Sequence, residues 1–198
     1  MPTGVALRDV RRQLFEAADR ILLRAGPSAL TSRAVTTEAG CAKGVLHRHF
    51  DDFDAFLADY VLDRVERLAP ETAALRETAG TGTVAGNLTT ALIAVFESVA
   101  VAIVALITFR DGLRARLRHT WPAGVPVLTE AAEMIAGYLA AERERGRVPA
   151  GTDVEVLAAM LIGTGHLLFA DRTGERPGPA RVHQMVTSVL NQATSPSP

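Results

Sequence analysis

The chain has 198 residues, 48% of them apolar and 22% charged, with a formal net charge of −1. This balance excludes a disordered polyelectrolyte and any global attraction to nucleic acid or anionic membrane. A single cysteine, Cys41, excludes an intrachain disulfide and a zinc site built on two or more thiolates.

Along the chain the pattern is helical throughout, and no strand pair with a tight turn is found. Leu7, Val10, Leu14, Ala18, Ile21, Leu22 and Ala25 recur at three- and four-residue steps and predict a first helix, stopped by Gly26-Pro27. Thr31 or Ser32 caps a short second helix reaching Glu38. Ala39-Gly40 makes a tight turn, and a third helix runs from Ala42 to His49. Asp51 and Asp52 cap a fourth helix to about Leu68, with Pro70 beyond it. Residues 71–83 read as a weak helix or linker. One long apolar helix spans Val84 to Phe109, and residues 110–126 form a broken helix and loop. Helix Val127–Arg145 and loop Gly146–Gly151 follow. A capping box of Thr152 and Glu155 opens a helix to Ala170. A loop at Thr173–Pro179 leads to a last amphipathic helix, Ala180–Gln192, and a disordered tail at 193–198.

Charge is unevenly spread. Residues 1–50 carry eight basic and four acidic side chains, and the remainder carries thirteen basic and eighteen acidic ones. A basic head on an acidic body suggests a nucleic-acid or membrane partner for the head. Twenty of the 21 basic residues are Arg, a background bias against which Lys43 stands out. Residues 91–109 border on the length of a membrane span, but Glu97 lies inside them and no Trp or Tyr flanks them, so a buried core helix is expected. No basic segment followed by an apolar run opens the chain, so a cytoplasmic protein without a secretory signal is expected.

Two short helices joined by a glycine turn behind a longer helix describe a helix-turn-helix. Val35, Ala39, Leu46 and Phe50 are spaced to pack on the first helix, leaving Lys43, Gly44, His47 and Arg48 outside. Lys43 suits a guanine edge and Val45 a thymine methyl. His47, Arg48 and His49 suit phosphates, as do Thr31, Ser32 and Arg33 at the start of the second helix, and Ala42 opens the third. The segment Thr31–Phe50 resembles the DNA-binding domain of the tetracycline-repressor (TetR) family in Thr31, Ala39-Gly40, Gly44, Leu46 and His49-Phe50. It departs from that pattern at Cys41, Ala42, His47 and Phe53. Phe53 stands where the family has a lysine, and Asp51, Asp52 and Asp54 surround it. These acids cap the fourth helix but repel DNA if turned outward.

The expected fold is all-α. Residues 1–50 form a three-helix DNA-binding domain, and 51–198 a larger helical ligand-binding and dimerisation domain whose residues 51–69 connect the two. The resemblance implies a homodimer on double-stranded DNA with a pseudo-palindromic operator, released by a small-molecule effector. Dimerisation is expected through residues 152–192, because helix 152–170 is apolar nearly all round and contains Gly163 and Gly165. Candidate effector contacts are Phe96, Glu97, Val101, Val104, Phe109, Trp121, Met134, Tyr138, His166 and Phe169. With few cations in these apolar segments, a neutral or cationic apolar effector is expected. The five His residues lack metal spacing, and neither a metal, a cofactor nor catalytic residues are expected. The rival readings are a helical-bundle enzyme using Glu97 and His166, a small-molecule-binding protein without DNA binding, and a membrane-anchored protein.

Overall fold

The computed structural model describes residues 4–170 and 175–194, and every regular element among them is helical. Helix α1 is Gly4–Ala25, closed by Gly26 at φ 80° and a 3-10 turn at Pro27–Ala29. Helix α2 is Ser32–Glu38, and the Thr31 hydroxyl caps it by accepting the Ala34 N–H at 3.1 Å. Gly40 turns the chain with φ 65°, a conformation that suits glycine. Helix α3 is only Val45–His49. The expected start at Ala42 is corrected: Ala42, Lys43 and Gly44 lie before the helix. Ala42 has no acceptor to cap with, and Gly44 is a poor helix former.

Helix α4, Phe53–Glu66, starts on Asp52, whose carboxylate accepts the Ala55 N–H at 2.8 Å. Helix α5, Leu68–Glu77, follows almost at once and takes in the expected stop, Pro70. In a first turn the missing proline N–H costs nothing. The long helix expected from Val84 to Phe109 is two helices, α6 at Val84–Glu97 and α7 at Ala100–Phe109, bent by 52°. Ser98 makes the break. Its backbone is extended, and its hydroxyl caps α7 by accepting the Ala100 N–H at 3.2 Å. Among the described residues no single helix is long and apolar enough to cross a membrane; the bent pair is so only when taken together.

Helix α8, Asp111–Thr120, occupies most of the stretch expected as broken. Helix α9 is Pro126–Glu144 and α10 is Val154–Ala170. The expected capping box does not form. Asp153 caps α10 through the Val156 N–H at 3.1 Å, while Thr152 is buried. Helix α11 is Pro179–Thr194. The expected loop 173–179 falls partly, and the expected tail 193–198 mostly, outside the described residues.

By packing the chain divides into two compact units, and the first runs beyond residue 50. Unit 1 is Met1–Arg64 with Ala102–Val125; unit 2 is Val65–Val101 with Pro126–Pro198. Val35, Ala39, Leu46 and Phe50 are all buried in unit 1, as their spacing predicts. Phe15, Phe50 and Phe56 form its aromatic centre, with Phe50 edge-on to Phe56 at 5.1 Å between centroids. In unit 2, α10 packs on α9, α11 on α6, and α5 on α9. Within the single chain the apolar helix α10 is covered on one side only. Val154, Leu157, Leu161 and Phe169 are buried, whereas Val156, Met160 and Leu167 are exposed.

Candidate nucleic-acid interface and the effector cluster

In unit 1 the polar residues of the two-helix motif face outward because its apolar ones are consumed inward. Leu46 is wholly buried, which turns His47 and Arg48 to solvent. Lys43 and Gly44 are exposed in the turn, Thr31 and Arg33 are exposed at the start of α2, and Ser32, Val45 and His49 are half-buried. A Cβ at Gly44 would meet no atom within 4 Å, so that surface is open to a close approach.

The motif is held to α1 by charge. Glu38 accepts from Arg20 Nε and from Arg24 Nη2, each at 2.8 Å. These hydrogen bonds, Arg24 first and then Arg20, hold the Glu38 carboxyl below its ordinary value. Gln13 Nε2 donates to the Ala39 carbonyl at 2.8 Å and pins the turn. Helix α4 is fastened to α1 by a buried polar cluster. The Tyr60 hydroxyl donates to Asp19 Oδ1 at 2.6 Å, and Arg64 Nη1 lies 3.2 Å from Asp19 Oδ2. Burial, then the Asp19 charge, pushes the Tyr60 phenol up, so it stays a neutral donor. Sequence reasoning missed this cluster. Its only signal is polar side chains set among buried neighbours on amphipathic helices.

At the start of α4, Asp52 pairs with Arg116 and Asp54 with Arg110, whose Nη2 is 2.6 Å away. The Ala55 N–H, then Arg116, lowers the Asp52 carboxyl below its ordinary value. The acids that surround Phe53 are thus partly neutralised from α8 and from Arg110 just before it, which the sequence alone did not reveal.

Residues 14–59 match the family model described as bacterial regulatory proteins, tetR family. The match is confined to the segment that holds the two-helix motif and the start of α4. Three solved structures share the fold of the whole chain. A transcriptional regulator from Rhodococcus sp. Rha1 is 20% identical with a TM-score of 0.69, over 92% of this chain and 95% of that one. A TetR-family regulator from Mesorhizobium loti MAFF303099 is 16% identical with a TM-score of 0.68, over 94% and 95%. FadR from Bacillus subtilis, in complex with stearoyl-CoA, is 15% identical with a TM-score of 0.63, over 93% and 97%. No curated protein sequence matches the chain. The N-terminal segment is thus similar to the TetR-family model, and the whole chain shares its fold with these solved regulators.

The expected effector contacts divide between the units. In unit 2, Phe96 stacks on Phe169 at 5.5 Å between centroids and lies 6.3 Å from the His166 ring. His166 Nδ1 is buried without a hydrogen-bond partner among the described residues. Met134 is buried and Val101 half-buried. Tyr138 belongs to a different cluster: its hydroxyl donates to Glu142 Oε1 at 2.6 Å and accepts from Asn87 Nδ2 at 2.9 Å. Burial, then Glu142, pushes its phenol up to about 12. Glu142 is fully buried, and its Oε2 also meets Arg147 Nε at 3.1 Å and the Gly80 N–H at 3.2 Å. Val104, Phe109 and Trp121 lie in unit 1. Two expectations are corrected. Glu97 is exposed at the end of α6, and Phe109 is 86% exposed. The break at Ser98 turns the chain, so a face extrapolated from one straight helix is lost. Among the described residues no group of three or more His, Cys, Asp or Glu could hold a metal ion.

Proposed function

We propose that the protein is a homodimeric repressor that binds a pseudo-palindromic operator and leaves it when a small apolar effector occupies unit 2. The two-helix motif supports the DNA reading, with Lys43 and Val45 at base edges and Thr31, Ser32, Arg33, Ala42, Gly44, His47, Arg48 and His49 along the backbone. The observation that carries dimerisation is the bare stripe on α10. Val156, Met160 and Leu167 are 55%, 39% and 76% exposed, at steps of four and seven residues. Gly163 lies between them, and a Cβ there meets no atom within 4 Å. A second copy on α10 and α11 would cover this stripe.

Two copies of the head would then meet major grooves about 34–36 Å apart. An effector that prefers another spacing shifts the population away from DNA. Phe96, His166 and Phe169 are its best-supported contacts, with a hydroxyl or carbonyl meeting the free His166 nitrogen. No cation is called for, because Glu97 is outside. A cytoplasmic, non-enzymatic protein follows from this reading. The test is selection of duplexes from a random pool, followed by release with apolar compounds. Recovery of pseudo-palindromes released by neutral ring compounds supports the proposal. Turnover of a compound without any duplex recovered refutes it.

A further inference from the structure

We propose that α8 is a second DNA-contacting element, supplying to the phosphodiester backbone beside each half-site the cations that α4 lacks. The inference rests on the DNA reading above. Residues 1–64 carry nine basic and nine acidic side chains, so that part of unit 1 is neutral. Residues 102–125 add four basic and one acidic, so the unit's whole positive excess lies on and beside α8. Five acids and one arginine between 51 and 64 cancel the charge of the motif itself.

The placement of α8 answers that deficit. Phe53 occupies the position of the family lysine, and the Arg110 guanidinium lies over its ring at 5.4 Å. Arg116 reaches Asp52 while remaining 42% exposed. A groove of about 370 Å³ joins His49, the last residue of α3, to Arg116, His119 and Thr120 of α8, with Asp51 and Asp59 on its walls. Arg118 is exposed and forms no ion pair among the described residues. Asp59 is engaged by Arg11, and the single acid of α8, Asp111, by Arg114. A strand passing His49 therefore meets Arg116 and His119 on the far side of the groove, with Arg118 exposed on the same helix. Phosphate contacts of this kind add affinity without sequence information.

The test uses the full chain and a duplex it selects from a random pool. That duplex is either trimmed to the pseudo-palindrome or extended by one helical turn at each end. Wild type should bind the extended form more tightly. In Arg116→Ala/Arg118→Ala that advantage should vanish, and the slope of log affinity against log salt should flatten by roughly 0.9 for each phosphate that is no longer neutralised. Unchanged helical content and oligomeric state guard against misfolding. The rival is that Arg116 only masks Asp52. Asp52→Asn keeps the helix cap and removes the charge. If adding Asp52→Asn restores wild-type affinity and slope, the proposal is overturned. It is equally overturned if the arginine variant keeps the flank advantage. If wild type selects no duplex at all, the DNA reading itself fails, and this inference with it.

Discussion

At the scale of single residues, the exposed polar side chains of the head divide by the task each can perform. Lys43 sits in the turn before α3 rather than on it, with a long reach toward a groove. Lys43→Ala is expected to weaken the selected operator by about 1–3 kcal/mol per half-site while sparing random DNA. Arg48→Ala should weaken both alike and flatten the salt dependence, because one phosphate fewer is neutralised. Competition binding on the two DNAs separates these outcomes. Equal losses for Lys43→Ala would remove its base-reading role. Glu38 makes a different prediction. Its folded-state carboxyl is held below its ordinary value by Arg24 and Arg20. The resulting stability is present above the ordinary carboxylate range near pH 4.5 and is lost as pH falls through the depressed value. Thermal unfolding of Glu38→Gln should therefore vary less with pH on the acid side than that of wild type.

Whole helices show where local signals suffice and where they do not. Caps and turns were legible: Gly26, Thr31, Gly40 and Asp52 act as their residue types predict. The break at Ser98 was not legible. Its flanks are apolar on both sides, and α7 is apolar all round, so periodicity carries no phase through it. Glu97 and Phe109 were misplaced for that reason. The buried cluster of Asn87, Tyr138 and Glu142 was half legible. Tyr138 and Glu142 are one turn apart on α9, but Asn87 arrives from α6. Helix α10 offers a sharper contrast, because its two glycines do unlike things. A Cβ at Gly165 would stand 2.5 Å from Phe96 Cε2, so the ring fills the glycine's space. Gly165→Ala should cost roughly 1–3 kcal/mol through overpacking, read by denaturant unfolding. Gly163→Leu meets nothing within its own chain and should leave the fold of the protomer intact. Light scattering should nevertheless show the loss of the dimer, and a normal dimer would move the interface off this stripe.

For the molecule as a whole, charge separation matters more than total charge. Unit 1 carries thirteen basic and ten acidic residues, and unit 2 eight and twelve. A chain with a net charge of −1 is therefore expected to bind DNA with a steep salt dependence, measured as log affinity against log salt. Affinity indifferent to salt would contradict a phosphate-led interface. Each unit also hides a charge of its own, Arg64 in the first and Glu142 in the second. Glu142 has both oxygens engaged, and Arg147 beside it donates on to the carbonyls of Thr81 and Gly82 at 3.1 and 3.0 Å. Removing the acid alone would take the counter-charge from Arg147 and the acceptor from the Tyr138 hydroxyl, and Glu142→Ala should cost about 3–5 kcal/mol. The same network reaches a backbone amide in a turn. Such amides ordinarily trade their protons with solvent within moments, but that of Gly80 is donated to a carboxylate with no exposure. Its deuterium uptake should then lag behind that of Thr78 and Ala79, whose N–H groups bond only to carbonyls of the preceding turn. A lone slow proton outside any helix would time the opening of α9 against the 78–83 turn.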